Sequence, residues 1–110
     1  MRIVTVPFDA EALERLDFDE SLPGDLEELQ LTDKLFDSLV DSGVLDSLNA
    51  TLGVMIDMYE DESIEGLPQL LLALQILTEA YYRTKLEVIR KIMHLCRHAI
   101  ERNTGLFFYL

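Results

Sequence analysis

Leu52 to Ile64 reads LGVMIDMYEDESI. In its first half Val54, Ile56 and Met58 interleave with Met55, Asp57 and Tyr59. Alternation with a period of two marks a half-buried strand, so the spacing predicts a strand over Leu52–Tyr59. A helix start is the competing reading of the same residues. The second half places four acids, Asp57, Glu60, Asp61 and Glu62, within six positions. Glu60 to Glu62 are predicted to form a loop, and Ser63 is a possible helix cap.

This stretch joins two unlike halves. Residues 1–65 hold 18 of the 21 acids and only three bases (Arg2, Arg15, Lys34), a net of −15. Residues 66–110 hold three acids and six bases, a net of +3. An uneven charge of this kind sets up a directional field that speeds encounter with a basic partner. The overall charge of −12 argues against direct binding of nucleic acid, which requires clustered Lys and Arg. The plainer reading of the acids is solubility.

Following the stretch, Leu67 to Tyr82 reads as a helix with Pro68 in its first turn. Its apolar residues leave only a narrow polar strip around Gln75 and Glu79. A helix apolar on nearly all sides is a buried one, so the rest of the chain is expected to pack around it. Thr84 and Glu87 have capping-box spacing and open a second long helix, to about Arg102. Leu86, Val88, Ile89, Ile92, Met93, Leu95, Cys96, Ala99 and Ile100 fill one half of its wheel. LFFYL, residues 106–110, reads as a terminal strand.

Preceding the stretch, RIVTV (residues 2–6) is β-branched, ends at Pro7 and reads as a strand. Asp9 caps a short helix from Ala10 to about Leu16, with Leu13 and Leu16 inward. Residues 17–25, DFDESLPGD, read as an exposed acidic loop, the most flexible part of the chain, and Asp25 to Leu31 as a turn of helix. Thr32 caps a helix from Asp33 to about Ser42 whose inward arc is Leu35, Phe36, Leu39 and Val40. Gly43 stops it, and Val44 to Asn49 make a further short turn with Asp46 outward. The expected fold is α+β and mostly helical: a single domain over 1–110, with a helical bundle around a buried central helix at about 67–82 and a small sheet from short terminal strands.

Composition removes several function classes. A chain of 110 residues buries roughly 60–70% of its unfolded surface and folds without staples. One cysteine, Cys96, excludes a disulfide-built secreted scaffold. The longest uncharged run, Gly66 to Thr78, is shorter than the ~20 residues that span a bilayer. With no signal-peptide core at the N-terminus, a cytoplasmic protein with no membrane partner is expected.

Catalytic and metal chemistry find little support. His94 and His98 have the i, i+4 spacing of metal ligands, but Leu95 breaks the HExxH pattern and Arg90, Lys91 and Arg97 share their face. No metal site is expected. Cys96 sits in the middle of an apolar arc, where a thiol is structural. The five glycines are scattered and form no phosphate-cradling loop, so no cofactor is expected. The acids at 57–62 match no calcium loop and have no nucleophile beside them. They are read either as a solvated cap opposing the dipole of the following helix or as partner-binding groups. No catalytic residue is assigned and the chain is read as a non-enzyme.

Gly53-Val54-Met55-Ile56-Asp57-Met58-Tyr59-Glu60-Asp61, followed by an amphipathic helix pair and an apolar C-terminal strand, resembles a pattern of small bacterial immunity proteins of polymorphic-toxin and contact-dependent inhibition systems. That resemblance implies a protein that binds and neutralises one toxin domain. Many such toxins are nucleases whose sites are basic because they grip phosphate. The acids expected to make the contact are Asp57, Glu60, Asp61 and Glu62, with Asp37, Asp41 and Asp46 next. Two alternatives stand beside it: a nucleic-acid mimic or phage-type inhibitor, whose acids imitate phosphates toward a DNA- or RNA-binding enzyme, and a small acidic adaptor protein.

Overall fold

Val4 and Val6 point one way from the first strand and Thr5 the other, and that alternation orients the whole sheet. A computed structural model describes residues 1–110. The chain runs β1 (Arg2–Pro7), α1 (Ala10–Asp17), β2 (Leu26–Leu31), α2 (Asp33–Asp41), α3 (Val44–Leu52), β3 (Glu62–Glu65), α4 (Leu67–Thr84), α5 (Glu87–Arg102) and β4 (Gly105–Tyr109). The four strands form one antiparallel sheet of order β2-β1-β4-β3. The two strands nearest the termini are thus its centre. The α+β, mostly helical class expected from the sequence is the one observed.

Register carries the alternation across the sheet. Val4 pairs with Phe108 and Leu29, and Ile64 with Leu106. These five point to the inner face, where α5 packs. Phe107 pairs with Thr5 and Ser63 on the outer face. α5 has the widest buried face of any helix: Val88, Ile89, Ile92, Met93, Leu95, Cys96 and Ala99 are all buried. α4 packs across α5, with α2 and α3 beside them.

Several sequence readings are corrected here. α4 is not buried on all sides. Leu70, Ala73, Leu77 and Ala80 face the core, while Leu67, Leu71, Leu72 and Tyr82 are exposed. The central position belongs to α5. Capping-box spacing between Thr84 and Glu87 is also coincidental. Thr84 ends α4, Lys85 takes a left-handed conformation (φ 57°), and Leu86 is the N-cap of α5, with no side-chain cap. In α2 only Phe36 and Leu39 are buried, whereas Leu35 and Val40 remain exposed. In α1 the buried residue is Ala12, with Leu13 and Leu16 half-buried.

Residues 26–31 form a strand instead of a helical turn. LEELQL is made of good helix formers, but all six residues pair with β1, and a full ladder outweighs propensity. Leu52–Tyr59 is not a strand. α3 continues to Leu52, and Gly53 closes it at φ 68°, a conformation that glycine adopts without a Cβ penalty. The true strand, β3, begins at Glu62, where a loop and then a helix cap at Ser63 were expected. Residues 17–24 are exposed, as expected, and the segment is tied at its end: Arg15 makes a two-bond contact to Asp25 through Nε and Nη2, both at 2.7 Å, and the Leu22 amide donates to Asp25 Oδ2 at 2.8 Å.

Candidate acidic interface

The 21 carboxylates are unequally employed. Asp25, Glu27, Asp33 and Glu87 form ion pairs, to Arg15, to Arg102 and His98, to Arg2 and to Arg90 respectively. The other seventeen have no cation within the chain. The bases are largely occupied: besides those four arginines, Arg83 donates to the Ser42 carbonyl and Lys85 lies over the Tyr82 ring at 4.6 Å. Internal pairing therefore leaves the acidic field almost undiminished.

The loop from Gly53 to Asp61 is held by side chains instead of a ladder. Asn49 on α3 acts as a surrogate strand: its Oδ1 accepts from the Ile56 amide at 2.7 Å and its Nδ2 donates to the Ile56 carbonyl at 3.1 Å. These bonds seat Ile56, 3% exposed, in the core. This is why Val54 and Ile56 alternate inward without belonging to a strand. Asp57 Oδ1 then accepts from the amides of Tyr59 and Glu60, a local side-chain turn. Glu62 reaches back to the Met55 amide at 2.9 Å and also accepts from its neighbour Ser63.

Acids line all four surface depressions, and two of these hold sequence-nominated acids without any base in the lining. The smaller, about 330 Å3, lies among α2, α3 and this loop. Asp37, Asp46 and Asp57 line it together with the buried Phe36, Leu45 and Ile56. The larger, about 640 Å3, lies on the outer face of the sheet, between β3 and the end of α1 with its following loop. Asp61 and Glu62 line one side, Asp17 and Asp19 the other, with Phe107 and Tyr109 between them. Those two rings stack at 6.4 Å. Burial pushes the Tyr109 hydroxyl up to about 12, and the surrounding Asp61, Asp17, Asp19 and Glu65 carboxylates add to the shift.

Of the sequence-nominated acids, the fold brings Asp37, Asp46 and Asp57 together, and separately Asp61 and Glu62. Asp41 and Glu60 line neither depression. Asp17 and Asp19 belong to the second group and were not nominated. Their charge was visible, but only the sheet order brings α1 and β3 to opposite sides of one groove. The helix-cap reading of Glu60–Glu62 fails, because β3 intervenes and Gly66, with no side-chain cap, precedes α4.

Arg90, His94, His98 and Arg102 of α5 pair within the chain. His98 Nδ1 contacts Glu27 Oε1 at 2.7 Å, Arg102 donates to the same oxygen at 2.8 Å, and His94 faces Arg90. No three metal-ligating side chains converge in the chain. Cys96 is fully buried against the Leu70 carbonyl, and burial pushes its thiol up to about 12. No helix is long and apolar enough to cross a membrane.

No protein-family model and no curated protein matches the sequence. Among solved structures, the fold matches the Neisseria DNA mimic protein DMP12 with a TM-score of 0.69 and 13% sequence identity, covering 100% of both chains. This full-length likeness overturns the resemblance to immunity proteins, and with it the expected toxin partner and toxin-neutralising role. A pattern of alternation followed by acids is common to unrelated folds, whereas a structural match over the whole of both chains is not. What the chain shares with this neighbour, at so low an identity, is its fold.

Proposed function

We propose that the chain is a nucleic-acid mimic, a non-enzymatic acidic protein acting as one domain that occupies the DNA-binding surface of a basic protein. The observation that carries this reading is the set of seventeen carboxylates left without an internal cation, borne on a fold like that of a protein described as a DNA mimic. Scale supports it as well. Duplex DNA carries one negative charge per ~1.7 Å of axis, and the longest dimension of the chain is 36 Å. A duplex of that length presents about 21 phosphates, against seventeen carboxylates without an internal cation here.

The mechanism follows from electrostatics. The field of residues 1–65 draws a basic surface in, and short-range contacts then exclude the duplex that would otherwise use it. Asp37, Asp46 and Asp57 on one depression, and Asp61 and Glu62 on the other, are the nominated contacts, with Asp41 and Glu60 flanking them and Asp17 and Asp19 added from the fold. Local hydrogen bonds hold two of these carboxylates, Asp57 and Glu62, in place before binding, which reduces the ordering cost of association.

The test is release from DNA at constant ionic strength. An extract of the source organism is loaded on DNA-cellulose and eluted with the purified chain in an unchanged buffer. The expected result is the elution of a basic DNA-binding protein that then co-migrates with the chain in size-exclusion chromatography. Elution of nothing beyond a buffer control, or of proteins that do not associate with the chain, contradicts the proposal.

A further inference from the structure

We infer that the 330 Å3 depression among α2, α3 and the loop after α3 is a socket for one long cationic side chain, arginine or lysine, of the partner protein. This rests on the nucleic-acid-mimic reading and adds to it where, and through which chemistry, the partner is gripped.

The socket has both buried apolar and anionic lining residues. Phe36, Leu45 and Ile56 are buried, at 7%, 6% and 3% exposure. Val40 and Met58 line it while remaining 47% and 46% exposed, so apolar surface stands open to solvent. Asp37, Asp46 and Asp57 complete the lining, no base is among the lining residues, and none of the three has an ion pair. A lining of three unpaired carboxylates and buried apolar side chains is complementary to a side chain with a hydrocarbon stem and a positive head, the two parts that Lys and Arg separate along their length. A bare metal ion fits poorly, since no three ligating groups converge.

The chain already shows the recognition it would offer. The Arg2 guanidinium lies 4.3 Å from the centroid of the Phe36 ring and is ion-paired to Asp33. A cation on an aromatic ring, with an aspartate at its edge, is thus realised next to the socket by groups of the same kind. At about 330 Å3 the socket lies at the small end of the roughly 300–1,000 Å3 of ligand cavities and has room for one long side chain. Arginine anchors in such pockets dominate many interfaces.

The experiment is a methyl NMR titration of the full chain with acetyl-Gly-Arg-Gly-Arg-Gly-amide. A peptide with citrulline in place of arginine, of the same shape without charge, is run in parallel. The expected result is a saturable shift led by the methyls of Val40, Leu45, Ile56 and Met58 with the arginine peptide and none with the citrulline peptide. Met58→Arg places a cation of the chain's own at the socket and is expected to weaken the arginine peptide about tenfold, in the range of an anchor residue. Gln69→Arg, an exposed residue on α4, makes the same charge change elsewhere and is expected to cost less than about twofold.

Equal weakening by the two variants, leading shifts at Leu16 and Leu26 of the other depression, or no shift at all would overturn the socket. The function proposed above is judged separately by release from DNA-cellulose. A wild-type chain that docks the peptide as described but releases nothing sinks that function and leaves the socket standing. A chain that releases its partner equally well with Met58→Arg in place does the reverse.

Discussion

Replacing Leu77 and Leu71 by alanine, one at a time, asks which side of α4 the core uses. Both are leucines on the same helix, and both belong to the apolar surface that the sequence assigns to the interior. Leu77 is 0% exposed and Leu71 50%. Leu77→Ala removes a fully buried side chain whose burial is worth about 1.5–3 kcal/mol, and it opens a cavity beneath α5. The total expected loss is about 2–5 kcal/mol. At Leu71 the transfer loss is partial, no enclosed cavity forms, and alanine is the better helix former, so a change of about 0.5 kcal/mol or less is expected. For a domain of this size 1 kcal/mol moves Tm by about 4–8 °C. Leu77→Ala should therefore melt at least about 8 °C lower by differential scanning calorimetry, in keeping with that scale. Leu71→Ala should melt within about 4 °C of the parent. Urea titration should show the same order in midpoint with an unchanged m-value. Comparable losses at both positions would refute the one-sided packing of α4 and restore the all-round buried helix.

Asn49→Ala removes both bonds to Ile56, and a loss of about 1–3 kcal/mol is expected from two hydrogen bonds. Faster amide exchange at Ile56 without a comparable change in β1 would place the effect in the loop. The guanidinium of Arg15 holds the Asp25 carboxyl down at about 2, below its ordinary 3.8, with help from the Leu22 amide. A lowered folded value means that the stabilisation is present above pH ~4 and is lost as pH falls through ~2. Asp25→Asn should accordingly flatten the fall in Tm between those limits, and an unchanged acid limb would contradict the assignment. Cys96, buried with its thiol near 12, should resist a thiol reagent at pH 8 in the folded chain and react fully in denaturant. Rapid labelling under native conditions would show that its surroundings open.

How much of this was legible depends on where each residue's partner lies. α5 was readable because its apolar half and charged half are separated cleanly, and packing on the sheet needs that separation. α4 was misread because leucine is used on its outer surface at Leu67, Leu71 and Leu72, and composition does not distinguish an exposed leucine from a buried one. β2 was hidden because LEELQL favours a helix locally, and only the ladder with β1 decides otherwise. Asn49 was invisible as a structural residue, since its partner is a backbone seven positions away that folds back onto α3. The acids were obvious as charge. Their grouping was not, because Asp17 and Asp19 meet Asp61 only after β1 and β4 have come between β2 and β3. The immunity-protein resemblance likewise rested on a local pattern, and the full-length likeness of the fold overturns it.

Competition for a single surface tests the central claim most directly. With the basic protein released from DNA-cellulose, the affinity of this chain is measured by titration calorimetry at fixed salt and increasing concentrations of duplex. If carboxylates stand in for phosphates, duplex raises the apparent Kd in proportion to its concentration, no ternary complex forms, and both affinities fall together as salt rises. An apparent Kd unmoved by duplex, or a stable complex of chain, partner and DNA, would contradict the account.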